Sequence, residues 1–241
     1  DVAHALPVLD YLRKAAPGAS IDWAVDRRFA ALLEGNGALS RVVSLDIRRW
    51  KREWTTARAR REAAGAVREL QEGRYDVAFD IQGNAKSGVV TRLSGAPLRF
   101  GFDRHGVRES SNLLFTNRKV SLRPEDLHIC RKLLRIVSAP FGGEFDLASM
   151  RGDIATTDQH ERLADQVVRG CFPEATPLVV IHPGTTWRTK RMDPEFWADA
   201  AIALRRRFPR MGVFLSWGSE EERREAEKII RIAGRCAALL P

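Results

Sequence analysis

Apolar residues recur along this chain with two different periods, and the alternation between them is its main structural signal. Val2, Leu6, Leu9 and Leu12 fall on one side of a helix predicted over 2–15, with Asp1 at the N-cap position and Pro17-Gly18 as the stop. A run rich in apolar residues at 20–25 predicts a strand, followed by a helix near 28–34 and a second strand at 41–45. A long basic helix is expected over 47–72, ended by Gly73. Strand 75–81, helix 85–93, strand 98–102 and helix 126–138 continue the rhythm, and 139–143 reads as a loose segment. A second series runs strand 178–182, helix 194–207, strand 211–217, helix 219–234, then the opening of a strand from 237. Strands alternating with helices predict a parallel sheet with right-handed crossovers. Strands that alternate only partly predict burial on both faces. The break between the series falls near 145–158, giving two expected domains, 1–150 and 151–241.

Bulk properties narrow the class. With 241 residues, 44% hydrophobic and 29% charged, the chain has the composition of a globular protein. No apolar run approaches the roughly 20 residues that span a bilayer, and the first residues do not read as a secretory leader. Cys130, Cys171 and Cys236 are far apart, which argues against disulfides and a zinc knuckle. A net charge of +9 favours acidic partners: nucleic acid, an anionic membrane surface or a phosphorylated substrate. The chain starts without Met at a helix start and stops in an incipient strand, so both ends are expected to continue in a longer protein.

The densest chemistry is at His182-Pro-Gly-Thr-Thr-Trp-Arg-Thr-Lys190. A strand ending in a Gly turn before a helix brings backbone N–H groups, the Thr185 and Thr186 hydroxyls and Lys190 to one point, which suits a phosphate. The spacing is neither a Walker A loop nor G-x-G-x-x-G; an ordinary turn whose threonines cap the next helix is the alternative. Seven cations in 48–61, among them Arg48, Arg49 and Arg52, are opposed within that stretch by Glu53 alone. They could clamp phosphates or form a solvated basic face. Trp50 and Trp54, one turn apart, are expected in the core. Asp80-Ile-Gln-Gly-Asn-Ala-Lys-Ser87 offers Gln82, Asn84 and Lys86 on a Gly turn, either to a hydroxyl-rich or anionic ligand or simply as a capped helix start. Arg104, His105 and Arg108 lie on a further loop. His4 and His128 have no partner at metal spacing, and no Ser-His-Asp order, G-x-S-x-G elbow or D-x-D is present. The carboxylates of Trp217-Gly-Ser-Glu-Glu-Glu222 could accept from ribose hydroxyls or favour a helix start.

Taken in order, these segments resemble the bacterial lipopolysaccharide heptosyltransferases of glycosyltransferase family 9, most nearly the type I members. The resemblance rests on Asp1-Val-Ala-His-Ala-Leu-Pro, Ile47-Arg-Arg-Trp-Lys-Arg-Glu-Trp54, Asp80-x-Gln-Gly-x-x-Lys-Ser87, Arg108-Glu with Asn117-Arg-Lys, His182-x-x-Thr-Thr-x-x-x-Lys190 and Trp217-Gly. It implies a GT-B-like α/β architecture: two Rossmann-like domains facing a cleft, an acceptor-binding one over 1–150 and the first part of an ADP-heptose-binding one over 151–241, both incomplete here. It implies inverting transfer of L-glycero-D-manno-heptose from ADP-heptose to the Kdo of lipid A, with no metal and no cofactor beyond the donor. Heptosyl-Kdo-lipid A is the alternative acceptor, a basic nucleic-acid-binding domain the alternative class. By resemblance Asp1 matches the general base. Thr185, Thr186, Lys190 and Glu220 match donor contacts. Arg48, Arg49, Arg52, Arg108, Gln82 and Lys86 match the acceptor side. The implied location is the cytoplasmic face of the inner membrane, held peripherally on anionic lipid, with no nucleic-acid partner. Departures are the absence of a strand and S-x-x-G turn before Asp1, the absence of an Asp-Thr-Gly helix start after 241, and Met192 where type I members often have Trp.

Overall fold

The computed structural model describes residues 1–174, 177–185 and 187–241, which form two compact units, Asp1–Ala155 and Thr156–Pro241. In the first unit the predicted opening helix is two, α1 (Val2–Ala5) and α2 (Pro7–Ala15). Pro7 has no N–H for the Ala3 carbonyl, so the Leu6 N–H takes it at 3.3 Å and the helix breaks there. The apolar side of α2 (Val8, Leu9, Tyr11, Leu12) is buried. It packs with α6 (Ile129–Ser138), whose Leu133, Leu134, Ile136 and Val137 are also buried.

All strands pair in parallel. β1 (Asp22–Asp26) lies on β2 (Arg41–Leu45), with Asp22 opposite Arg41. A separate ladder has the order β3 (Val77–Asp80), β4 (Leu98–Phe102), β5 (Arg118–Val120). Arg41 donates to Asp22 at 2.7 Å and the Tyr75 hydroxyl donates to the same oxygen at 2.7 Å, tying the start of the first ladder to the residues just before β3. In each ladder the carboxyl ends share one edge, so the turns after β1 and β2, and those after β3 and β4, open on common sides.

Three further expectations of the first unit are corrected. The helix near 28–34 is a 3₁₀ segment, Arg27–Leu32, started by the Asp26 side chain accepting from the Arg28 N–H. The long helix over 47–72 is α3 (Ile47–Arg52) and α4 (Ala57–Glu72), because the Thr56 side chain caps α4 by accepting from the Ala59 N–H. With that break Trp50 stays half-buried against Val43, Leu45, Ala66 and Leu70, whereas Trp54 turns outward, 67% exposed. α5 (Ala85–Leu93) is where it was expected. β5 (Arg118–Val120) and the helix α7 (Asp158–Cys171) were not among the expected elements.

The second unit contains α7, β6 (Leu178–Ile181), α8 (Pro194–Arg207), β7 (Gly212–Leu215), α9 (Glu220–Ala233) and β8 (Ala238–Leu239), with parallel order β6-β7-β8. Its core joins Ile181, Val213 and Leu215 to Ala198 and Ala201 of α8 and Ala226 and Ile229 of α9; the alanines let both helices approach the ladder closely. β7 is buried at every position, but Leu178 and Val180 of β6 are 45% and 58% exposed, so burial on both faces holds for β7 and not for β6.

Candidate functional site

In the first unit the predicted residues gather around the carboxyl ends of β3 and β4. Asp80, last in β3 and 2% exposed, organises the turn that follows. Its carboxylate accepts from the N–H groups of Gln82 (3.0 Å) and Gly83 (2.9 Å), from the Ser87 hydroxyl (3.0 Å) and from the Asn112 amide. Gly83 has φ +70°, and a Cβ on it would come within 3.0 Å of the Phe102 ring, so the turn requires glycine. Asn84 caps α5 in a reciprocal box with Ser87. Of the two roles weighed for Asn84, helix capping is the one observed. Gln82 and Lys86 on the same turn remain exposed.

The Gly83 carbonyl accepts from the N–H groups of Arg108 (3.1 Å) and Glu109 (3.0 Å), which fastens the loop after β4 to the turn after β3. The Glu109 carboxylate accepts from Ala85 N–H at 2.9 Å, so a protein anion meets the opening of α5. Arg108 extends outward and its Nη1 lies 3.5 Å from Asp1 Oδ2, both side chains largely exposed. Asp1, Arg108 and the turn bearing Gln82 and Lys86 therefore form one group. Arg104 contacts His105 at 2.9 Å on a loop held by Asp103, which accepts from the N–H groups of His105 and Gly106 and from Ser121. The Asp103 carboxyl is held below its usual range: burial pushes it up, and these donors together outweigh that.

The basic stretch after β2 is less free than its sequence implied. Asp46 caps α3 and pairs with Arg49 at 3.0 Å, and Arg49 also pairs with Glu62 of α4. Glu62 accepts from Arg58 at 3.0 Å, and its carboxyl is held low chiefly by that bond. Three carboxylates, Asp46, Glu53 and Glu62, thus face the seven cations, and Arg49 is consumed in bracing α3 against α4. Arg52 reaches only Glu53 at 2.7 Å, on the surface, and Arg48 is exposed without an ion pair among the described residues. His4 is exposed on α1, and His128 caps α6 by accepting from the Cys130 N–H.

In the second unit, His182, Pro183, Gly184 and Thr185 follow β6, and Thr186 lies outside the described residues. His182 Nδ1 contacts the Ser216 hydroxyl at 3.1 Å across to the end of β7. The Thr185 carbonyl accepts from Arg191 Nε at 3.2 Å, and Arg191 pairs with Glu221 at 2.9 Å, which raises the guanidinium pKa. Lys190 is exposed, its backbone N–H bonded to the Trp187 carbonyl at 2.9 Å. Glu220 is 67% exposed at the first turn of α9, 3.4 Å from Arg223, which lies over the Trp217 ring. Ser219 caps α9, and the Glu222 carboxylate accepts from Gly218 N–H at 2.8 Å. The turn after β6 therefore meets the opening of α9, with Glu220 at its outer side.

Sequence reasoning missed Asp80, Glu109, Arg191 and Glu222 as organisers. Asp80 carried a local signal, an acid ending an apolar strand before a Gly turn. Glu109 and Glu222 act on residues 24 and 38 positions away, a distance no local pattern spans. Among the described residues no three His, Cys, Asp or Glu side chains gather as a metal site, and no helix is long and apolar enough to cross a membrane.

Residues 64–241 match the family described as glycosyltransferase family 9 (heptosyltransferase). The chain is 33% identical to lipopolysaccharide heptosyltransferase 1 of Pseudomonas aeruginosa, over all of this chain and 64% of that protein. It spans about two-thirds of such relatives. Among solved structures it is similar to the Escherichia coli heptosyltransferase WaaC with ADP, with a TM-score of 0.81 at 26% identity over 100% of this chain and 71% of that one. The same enzyme with ADP-2-deoxy-2-fluoro heptose gives 0.77 at 26% identity, over 100% and 72%.

Proposed function

We propose, because this chain belongs to glycosyltransferase family 9, the heptosyltransferases, that the whole protein moves L-glycero-D-manno-heptose from ADP-heptose to the Kdo of lipid A, inverting the anomeric centre without a bound metal. The observation that carries the reading is the Gly184–Thr185 turn at the carboxyl end of β6, in a chain similar along its whole length to a heptosyltransferase solved with ADP. The donor is ADP-heptose. Its diphosphate lies on that turn, met by the hydroxyls of Thr185 and Thr186 and by Lys190, with Glu220 accepting from the ribose. Charge grows on the leaving phosphate, so these contacts strengthen in the transition state.

On the acceptor side the Asp1 carboxylate takes the proton of the attacking Kdo hydroxyl as its oxygen bonds to the anomeric carbon and the bond to the β-phosphate breaks. Arg108, 3.5 Å from Asp1, orients that carboxylate. With Arg48, Arg52, Gln82 and Lys86 it meets the acidic acceptor, while Arg49 keeps α3 in position through Asp46 and Glu62. The type I acceptor is favoured by the Pseudomonas relative, a heptosyltransferase 1. Contact with the cytoplasmic face of the inner membrane is peripheral. Its support is the α3–α4 corner, where Trp54 is 67% exposed beside exposed Lys51, Arg52 and Arg58.

Assaying the full-length protein with ADP-heptose and either Kdo-lipid A or heptosyl-Kdo-lipid A tests the proposal. Turnover on the first is expected; turnover on the second alone makes it a type II enzyme, and none on either refutes the activity. Lys190→Ala is expected to lower kcat at least tenfold, and unchanged kcat and KM would remove Lys190 from the donor site.

A further inference from the structure

The Gly184 turn is already in contact with a carboxylate of the protein itself. An ideal Cβ on Gly184 would lie 2.4 Å from Glu222 Oε1 and 2.5 Å from its Cδ, so the Glu222 carboxyl group fills the space a side chain at 184 would need. The other oxygen of that carboxylate, Oε2, accepts from the Gly218 N–H at 2.8 Å and would sit 3.2 Å from a Cβ on Gly218. Gly184 follows β6 and Gly218 follows β7, and these strands are adjacent in the ladder, with Ile181 opposite Leu215. One side chain therefore touches both strand-end turns. Its own backbone is fixed by the Ser219 cap, which accepts from the Glu222 N–H at 3.3 Å.

A plain capping box would send this carboxylate back to the N–H of the cap residue, Ser219. Here it goes one residue further, to Gly218, and packs on Gly184. Capping accounts for neither contact. A second bridge runs alongside, from Glu221 to Arg191 and from Arg191 to the Thr185 carbonyl. Both bridges hold the turn after β6 to the first turn of α9.

We propose that Glu222 is a positioning residue of the donor site, setting the separation between the Gly184–Thr185 turn and the Gly218–Ser219 turn, and that position 184 is glycine because that carboxylate occupies its side-chain space. This rests on the donor diphosphate lying on the Gly184–Thr185 turn. Glu222 acts through backbone it holds in place, as a hydrogen-bond acceptor and a wedge, and its negative charge is not the operative property.

The test is ADP affinity by calorimetry on the full-length protein, with thermal melts of each variant. Glu222→Ala removes its contact with both turns, leaving only the Arg191 bridge, and is expected to weaken ADP binding about tenfold, the order of one lost hydrogen bond. Gly184→Ala drives the carboxylate off Gly218 and is expected to cost a similar factor. Because both changes break one contact, the double variant is expected to be no weaker than the weaker single one. Glu222→Gln retains an oxygen for the Gly218 N–H and is expected within about threefold of wild type. A KM for the donor that rises more than kcat falls is the kinetic counterpart. Unchanged ADP affinity in Glu222→Ala, factors that multiply in the double variant, or a Gln variant as weak as the Ala variant would overturn the inference. A wild-type protein that does not bind ADP would instead overturn the donor-site reading beneath it.

Discussion

Replacing Asp80 by Ala removes the one side chain on which the turn after β3 is built. Four donors point at its carboxylate. The Gln82 N–H is near solvent and can turn to water, whereas Gly83 is buried. The Asn112 amide keeps the Asn84 carbonyl at 2.7 Å with one of its two hydrogens, and the Ser87 hydroxyl can turn its single hydrogen to the same carbonyl at 2.9 Å. One buried donor left unpaired costs about 1–3 kcal/mol, and each lost charge-assisted bond adds about another 1, so the sum is about 3–5 kcal/mol. Domain stabilities are about 5–15 kcal/mol, so the loss is severe. Asp80→Asn keeps an acceptor for Gly83. It gives up only the bonds at Oδ2, from the Ser87 hydroxyl and the Asn112 amide, each of which still has the Asn84 carbonyl within reach, so the cost should fall to about 1–2 kcal/mol. Urea unfolding of the three proteins measures this. A loss below about 1 kcal/mol for Asp80→Ala, or an Asn variant as unstable as the Ala variant, would refute the assignment of Asp80 as the organiser of the turn.

Asp126→Ala leaves Arg135, only 6% exposed and bonded to Asp126 at 2.8 Å, without its carboxylate, and is expected to cost about 3–5 kcal/mol in the same assay. Burial pushes the Asp126 carboxyl up, but the bonds from Arg135 and the Arg123 N–H more than offset this and its pKa is lowered. Its stabilisation is therefore present above the ordinary carboxylate range and lost as pH falls through the lowered value, and Asp126→Asn should flatten the acid limb of stability against pH. Tyr75 is pushed up to about 12 by burial and by its bond to Asp22. Protonated Tyr75 thus stabilises the fold fully below pH 10 and loses that contribution as pH rises toward 12, a loss Tyr75→Phe should abolish in alkaline unfolding curves. Anionic vesicles should retain the protein in a salt-sensitive way and Trp54→Ala should weaken retention; equal retention on zwitterionic vesicles would remove the membrane-docking role of the α3–α4 corner.

Much of the fold was legible because each element carried its own period: strands 41–45 and 98–102 and helices 85–93 and 194–207 coincide with β2, β4, α5 and α8. The failures have separate causes. The 47–72 stretch keeps a helical charge pattern through Trp54-Thr55-Thr56, and only the Thr56 cap divides it. β5 is three residues, two of them charged, and takes its strand form from pairing with β4. Helix α7 did carry a signal, the Thr157 cap reciprocated by His160, but it lay where the pattern suggested a linker. In the site, the Gly turns and their cations could be read locally. The anions that lock them could not, because Glu109 reaches Ala85, and Glu222 reaches Gly184, only in the folded chain.

The proposed transfer depends on Asp1 taking the proton of the attacking acceptor hydroxyl. It is tested most directly by comparing Asp1→Asn with wild type in the full-length protein for single-turnover transfer from ADP-heptose and for ADP affinity. Asp1→Asn is expected to lower the rate by about 10²–10⁴ and to leave ADP affinity unchanged. Transfer at the wild-type rate would contradict it.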